Sequence, residues 1–161
     1  MTEQYQYFIS PTYGKLQIDE VFDKITQFIE QERERNYVFI VGTDSFSDIN
    51  LNLVTAVIVH KVGAGAIYFY RKKEIPKVFS LKQRVLYEAT MSLEVASLVT
   101  YHLSKNGLSE VRLEIHLDVG GSIKTKEIIK DVVSMVIGNG FLAVVKPDAF
   151  GASNVADRHT K

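Results

Sequence analysis

The chain has 161 residues, 46% of them hydrophobic and 24% charged, a balance that suits one globular domain with a substantial core. Its 19 Lys and Arg offset 19 Asp and Glu, so no net charge draws the whole chain to nucleic acid, membranes or acidic substrates, although a local basic patch stays open. With no cysteine, a disulfide scaffold, a thiolate nucleophile and a Cys-based zinc site are all excluded.

In chain order, Tyr5 to Ser10 suits a short strand, closed by Pro11 and the turn former Gly14. Ile18 to Arg35 is predicted as an amphipathic helix, with Val21, Ile25, Phe28 and Ile29 recurring at helical spacing. Three β-rich runs follow: Tyr37 to Asp44, Leu51 to His60 and Ala66 to Glu74. Their short connections, Asp48-Ile-Asn and Gly63-Ala-Gly65, favour an antiparallel meander. Ser80 with Gln83 has the pattern of a capping box opening a helix to about Ser104, stopped by Asn106-Gly107. Val111 to Val119 is predicted as a strand, Lys124 to Ile137 as a helix, Phe141 to Val145 as a strand and Ala149 to Thr160 as a last helix. No apolar run reaches transmembrane length and the polar start lacks a signal-peptide pattern, so a cytoplasmic location is expected. After the first helix the order is β-β-β-α-β-α-β-α, which implies a mixed sheet with helices on its faces.

Acidic residues fall at the ends of these elements. Asp44 closes the first strand of the meander, where a carboxylate on so apolar a run is costly to bury without a partner. Asp118 closes the fourth strand. If that strand lies parallel beside the first, both side chains leave the sheet at one end. Glu88, on the flank of the long helix's apolar face, can reach past the same end, while its rival Glu94 points away from the core. Asp157 lies on the last helix. Singly, each acid has a plain explanation as a turn or surface charge. Together they would repel one another unless a cation neutralised them, and all-oxygen ligation suits Mg²⁺ or Mn²⁺.

The motifs Val41-Gly-Thr-Asp-Ser45, Ile115-His-Leu-Asp-Val-Gly120 and Lys146-Pro-Asp-Ala-Phe-Gly-Ala-Ser-Asn-Val-Ala-Asp-Arg158 resemble the uncharacterised YkuK family of ribonuclease H-like proteins. The resemblance runs from about Tyr5 to the end. It implies an α/β ribonuclease H-like fold: a five-stranded mixed sheet of order 3-2-1-4-5 flanked by helices, with residues 1–35 as an N-terminal helical extension to a core of 36–161. By the superfamily's pattern, Asp44, Glu88, Asp118 and Asp157 become the metal-binding and catalytic residues of a two-metal site, with Glu94 still competing with Glu88. The implied activity is divalent-metal-dependent phosphodiester hydrolysis of RNA or DNA. The alternative is a non-catalytic nucleic-acid- or protein-binding module on the same fold.

Other features have two readings each. Arg71-Lys72-Lys73 with Lys77, Lys82 and Arg84 is either a phosphate-contacting cluster or a solvated hairpin end. Tyr68, Phe69 and Tyr70 either stack bases or fill the core. His116 and His159 lie two residues from Asp118 and Asp157 and could assist them. Thr43 and Ser45 are expected to bond backbone rather than act as nucleophiles, since no His-acid partner is identifiable. Gly120-Gly121-Ser122 is either a phosphate loop or a tight turn. The first helix could cover a sheet edge or support a homo-oligomer.

Overall fold

A computed structural model of the protein describes residues 7–77, 80–119, 126–146 and 148–149. Its elements are β1 (Tyr7–Ser10), β2 (Gly14–Gln17), α1 (Ile18–Glu30), β3 (Tyr37–Ser47), β4 (Asn50–Lys61), β5 (Gly65–Pro76), α2 (Leu81–Lys105), β6 (Arg112–Leu117), α3 (Lys126–Gly138) and β7 (Leu142–Val145). The predicted last helix lies outside the described residues beyond its first position. Among the described residues, no helix is long and apolar enough to cross a membrane.

The sheet has seven strands in the order β2-β1-β5-β4-β3-β6-β7, which corrects the expected five-stranded sheet and its order. The addition is a hairpin whose second strand propensity alone does not reveal. β2 offers one apolar residue, Leu16, in four positions, too little for a period-two pattern to register. Its geometry comes from the turn. Ser10 Oγ accepts from the backbone N–H of Thr12 at 3.2 Å and of Tyr13 at 3.1 Å, and Gly14 takes the left-handed φ of 75° that reverses the chain. β1 then adds antiparallel to β5 through Ile9 and Tyr70, covering an edge that would otherwise present unpaired backbone groups.

Helix α1 stops five residues before the predicted Arg35. The Tyr37 hydroxyl donates to the carbonyls of Glu32 at 2.7 Å and Ile29 at 3.3 Å, satisfying groups that a longer helix would have bonded itself. Its apolar residues Val21, Phe22, Ile25 and Ile29 are buried in the chain's own core, and Phe22 stacks on His102 of α2. In α2, Ser80 caps as expected, accepting from the N–H of Gln83 at 3.3 Å.

One face of the sheet carries the main core. Phe39, Val41, Val57, Val59, Phe69 and Ile115 point toward α1, α2 and α3. Alternate residues point to the other face, where Ile40 and Ile58 form one small cluster and Val54, Ala56 and Tyr70 another. Phe69 therefore fills the main core while Tyr68 and Tyr70 lie on the opposite face. Phe39 is 0% exposed at the centre of the sheet. Phe39→Ala is expected to cost about 3–5 kcal/mol through lost burial and a cavity, read as a lower denaturant midpoint at unchanged slope.

Candidate active site

The strand order puts β3 and β6 side by side and parallel, in register from Val38 and Arg112 to Gly42 and His116. Asp44 follows two residues after the last position of β3 paired with β6, and Asp118 comes just after the end of β6. β6 and β7 are likewise parallel, ending at Leu117 and Val145, so the next position in register brings Lys146 beside Asp118. On the other side, Asp44 is paired with Val54 and Val54 with Lys72. Lys72, Val54 and Asp44 thus form a cross-strand row, and Asp118 with Lys146 lies just beyond the last paired residues of β6 and β7.

Glu88 reaches this row from α2. The helix is fixed over β3 by two contacts one turn apart. Thr43 Oγ1 lies 2.8 Å from Ser92 Oγ and 2.9 Å from Thr55 Oγ1, all buried, and the Ser45 hydroxyl donates to Glu88 Oε1 at 2.6 Å. The hydroxyls of Thr43 and Ser45 thus bond side chains rather than the backbone expected from sequence. Arg84, one turn before Glu88, donates from Nε to Ser45 Oγ at 2.7 Å and from its guanidinium to the Ser45 carbonyl, and lies 3.8 Å from Glu88. Glu94 is exposed and pairs with Arg71 at 3.4 Å. Of the two helix carboxylates, Glu88 is the one that faces the strand ends.

Electrostatics tie the acids together. Burial first, then the charges of Asp44 and Asp118, push the Glu88 carboxyl up to about 8, against the Ser45 hydrogen bond and the Arg84 charge. Asp44 Oδ1 accepts the N–H of Ser45 at 2.9 Å. Asp118 Oδ1 is buried and forms an ion pair with the Lys146 ammonium, without the alignment of a directed hydrogen bond. That pairing, followed by the charges of Asp118, Asp44 and Glu88, raises Lys146 above its ordinary range despite partial burial. Glu88, His116 and Asp118, with Thr43 and Ser92, enclose a cavity of about 10 Å³, room for one water at most.

His116 is buried on the same strand face as Asp118. Its Nε2 lies 3.0 Å from Glu114 Oε1, and its Nδ1 has no partner among the described residues. Burial works to raise Glu114, but hydrogen bonds from Arg112 and His116 hold it below the usual carboxylate range. Asp157, His159 and Gly120-Gly121-Ser122 lie outside the described residues.

The basic cluster does not survive as one patch, because strand alternation divides it. Arg71 is buried over the Phe8 ring, Lys82 lies 3.8 Å from Asp131, and Arg84 is committed to Ser45 and Glu88, while Lys72 is exposed on the opposite sheet face. Burial depresses Arg71, with Glu94 opposing the shift. Two contributors escaped the sequence reading. Lys146 sat unnoticed within a strand-closing turn, though the parallel register of β6 and β7 would have placed it beside Asp118. Arg84 was grouped with the cluster, though its spacing of four from Glu88 puts the two on one helix face.

The donor set suits a hard divalent cation: Asp44, Glu88 and Asp118 offer only carboxylate oxygens, and their mutual repulsion calls for positive charge. Among the described residues, however, no three acids or histidines are already gathered tightly enough to hold a metal ion, and Lys146 supplies the cation beside Asp118.

Comparison with known proteins agrees with the architecture. The family described as Ribonuclease H-like matches residues 20–161. A curated relative from Bacillus subtilis (strain 168), described as Uncharacterized protein YkuK, is 26% identical over 168 aligned positions, covering 96% of each chain.

Proposed function

Because the chain belongs to the ribonuclease H-like family, we propose that it is a divalent-metal-dependent nuclease hydrolysing phosphodiester bonds of RNA or DNA at the Asp44, Glu88 and Asp118 cluster. The observation that carries this reading is the gathering of three acids from three separate elements, with Glu88 buried against Ser45 and held near 8 by that burial first and by the charges of Asp44 and Asp118 after it. Sites that arrange perturbed carboxylates at a sheet end do so at a stability cost, which chemistry explains better than structure does.

In this reading Asp44 and Asp118, carried by the neighbouring strand β3 and the end of β6, provide a pair of carboxylate oxygen donors. Ser45 and Arg84 orient Glu88 as the third, and Asp157 is the expected fourth. Bound Mg²⁺ or Mn²⁺ ions, two in the full proposal, would neutralise charge at the scissile phosphate and lower the pKa of an attacking water. Lys146 gives up Asp118 when the acids serve that role. Glu88 releases its proton, so metal affinity rises with pH through about 8.

One observation favours a second reading, a non-catalytic nucleic-acid-binding module: the Lys146 ammonium already neutralises Asp118. Calorimetric titration with Mn²⁺, alongside a cleavage panel of RNA, DNA, hybrid and branched substrates, separates the two. The nuclease reading expects Mn²⁺ binding and Mn²⁺- or Mg²⁺-dependent cleavage. Retained nucleic-acid binding with neither would establish the module instead.

A further inference from the structure

The face of the sheet that bears Asp44 and Asp118 continues across β4 and β5 to the β1–β2 hairpin. There it forms a cavity of about 420 Å³ lined by Tyr7, Lys15, Asn52, Lys72, Lys73 and Glu74. Register ties this cavity to Asp44. Lys72 pairs with Val54 and Val54 with Asp44, so Lys72 stands two strands from Asp44, about 10 Å across the sheet. One step nearer the sheet end, Phe46 pairs with Asn52 and Asn52 with Glu74, making a continuous surface from Asp44 to the cavity. Lys15 pairs with Ile9, and Ile9 with Tyr70, so the hairpin brings its lysine to the same face.

The charge in this cavity is one-sided. Lys15 and Lys72 are exposed, and neither has an ion-pair partner among the described residues. The single acid, Glu74, accepts from the Asn50 side-chain amide, which occupies part of its capacity. Tyr7 is half-buried, so its ring sits in the wall rather than out in solvent. Ammonium groups spaced around an aromatic ring are the elements with which proteins hold a nucleic-acid backbone and stack an unpaired base.

We propose that this cavity is a nucleotide subsite for a single nucleic-acid strand crossing the sheet end. It holds a phosphate between Lys15 and Lys72 and a base on Tyr7, while the phosphodiester to be cut lies at Asp44 and Asp118. The inference rests on the nuclease reading for the second of those placements. A strand rather than a duplex fits because the base must leave its stack to reach Tyr7. The hairpin that forms the cavity is the addition to the expected five-stranded sheet, and it serves this subsite as well as covering the β5 edge.

The test is fluorescence anisotropy of the full chain with a labelled 20-nucleotide single-stranded RNA in EDTA, where no cleavage occurs, over a range of salt. The double variant Lys15→Ala/Lys72→Ala is expected to bind about tenfold more weakly at low salt, and its salt slope to fall by about 0.7, the loss of one phosphate contact on a single strand. Tyr7→Ala is expected to weaken binding with the slope unchanged. Both changes lie at the surface or in a short hairpin, and circular dichroism checks that the fold is kept. Wild-type affinity and slope in the double variant would overturn the subsite. So would a duplex of the same sequence binding as tightly as the single strand. Because binding is read without metal, failure of cleavage leaves this result standing, and failure here leaves the carboxylate chemistry to its own test.

Discussion

Asp44→Asn removes metal-dependent cleavage by about three orders of magnitude on whichever substrate of the panel is cut, with the fold intact. The substitution keeps the side chain's size and leaves its oxygen to accept the Ser45 N–H, now made at 2.9 Å. What it removes is one full negative charge among the three acids. A cation at such a site contributes several kcal/mol of charge stabilisation to a phosphodiester displacement. Each ~1.4 kcal/mol lost is tenfold in rate, so a loss of about 10³ follows from one weakened ligand. The same change relieves the Glu88 carboxyl, since the Asp44 charge is among the forces holding it near 8. Single-turnover cleavage, Mn²⁺ calorimetry and a thermal melt together check this. The expected pattern is lost cleavage, weakened Mn²⁺ binding and an unchanged or raised melting temperature. Undiminished cleavage in the variant removes the proposed mechanism.

How far the sequence foretells this site depends on which forces place each residue. The strand that carries Asp44 was legible over Tyr37 to Asp44 from its nearly unbroken β pattern, although it runs on to Ser47 and so holds Asp44 inside the strand rather than at its end. The side-by-side placement of Asp44 and Asp118 was legible conditionally, needing only the parallel pairing of β3 with β6, which the observed register supplies. The helical wheel set Glu88 nearer the core than Glu94 but left the two competing; in the fold Glu88 accepts from Ser45 and Glu94 is exposed beside Arg71. Of the hairpin, only β1 was legible, as the strand expected over Tyr5 to Ser10; β2 was not. Four residues with one buried side chain carry no periodic signal, and Ser10 fixes the turn by a hydroxyl contact that composition does not display. Nor was the fate of the basic cluster, because consecutive residues of a strand face opposite ways and Arg71 and Lys72 part company for that reason alone. Lys146 shows a third limit. Its role comes from register between two parallel strands joined through α3, a relation with no counterpart in local sequence.

Glu88→Gln tests the energetic claim on which the site rests, and its effect reverses the usual expectation that losing a charged contact destabilises. In the unfolded chain this carboxyl titrates near its ordinary 4.5, and in the folded protein near 8. Between those values the folded state holds a proton that the unfolded state has released. Stability is therefore fullest below about 4.5 and declines as pH rises through 8. Glutamine keeps the shape and neutrality of the protonated acid, and can still accept from the Ser45 hydroxyl, but has nothing to ionise. Wild type and variant should melt together at pH 5 in EDTA. At pH 9 the variant should be more stable by on the order of 3 kcal/mol, allowing for relaxation around the ionised acid. For a chain of this size that is roughly 6–12 °C in melting temperature. Mn²⁺ adds a second arm. At pH 9 it should raise the wild-type melt, because the ionised Glu88 gains a partner, and raise the variant's much less. Parallel melting curves for the two proteins from pH 5 to pH 9 would show that Glu88 ionises in the folded state as it does in the unfolded one. Neither its burial nor the charges of Asp44 and Asp118 would then perturb it.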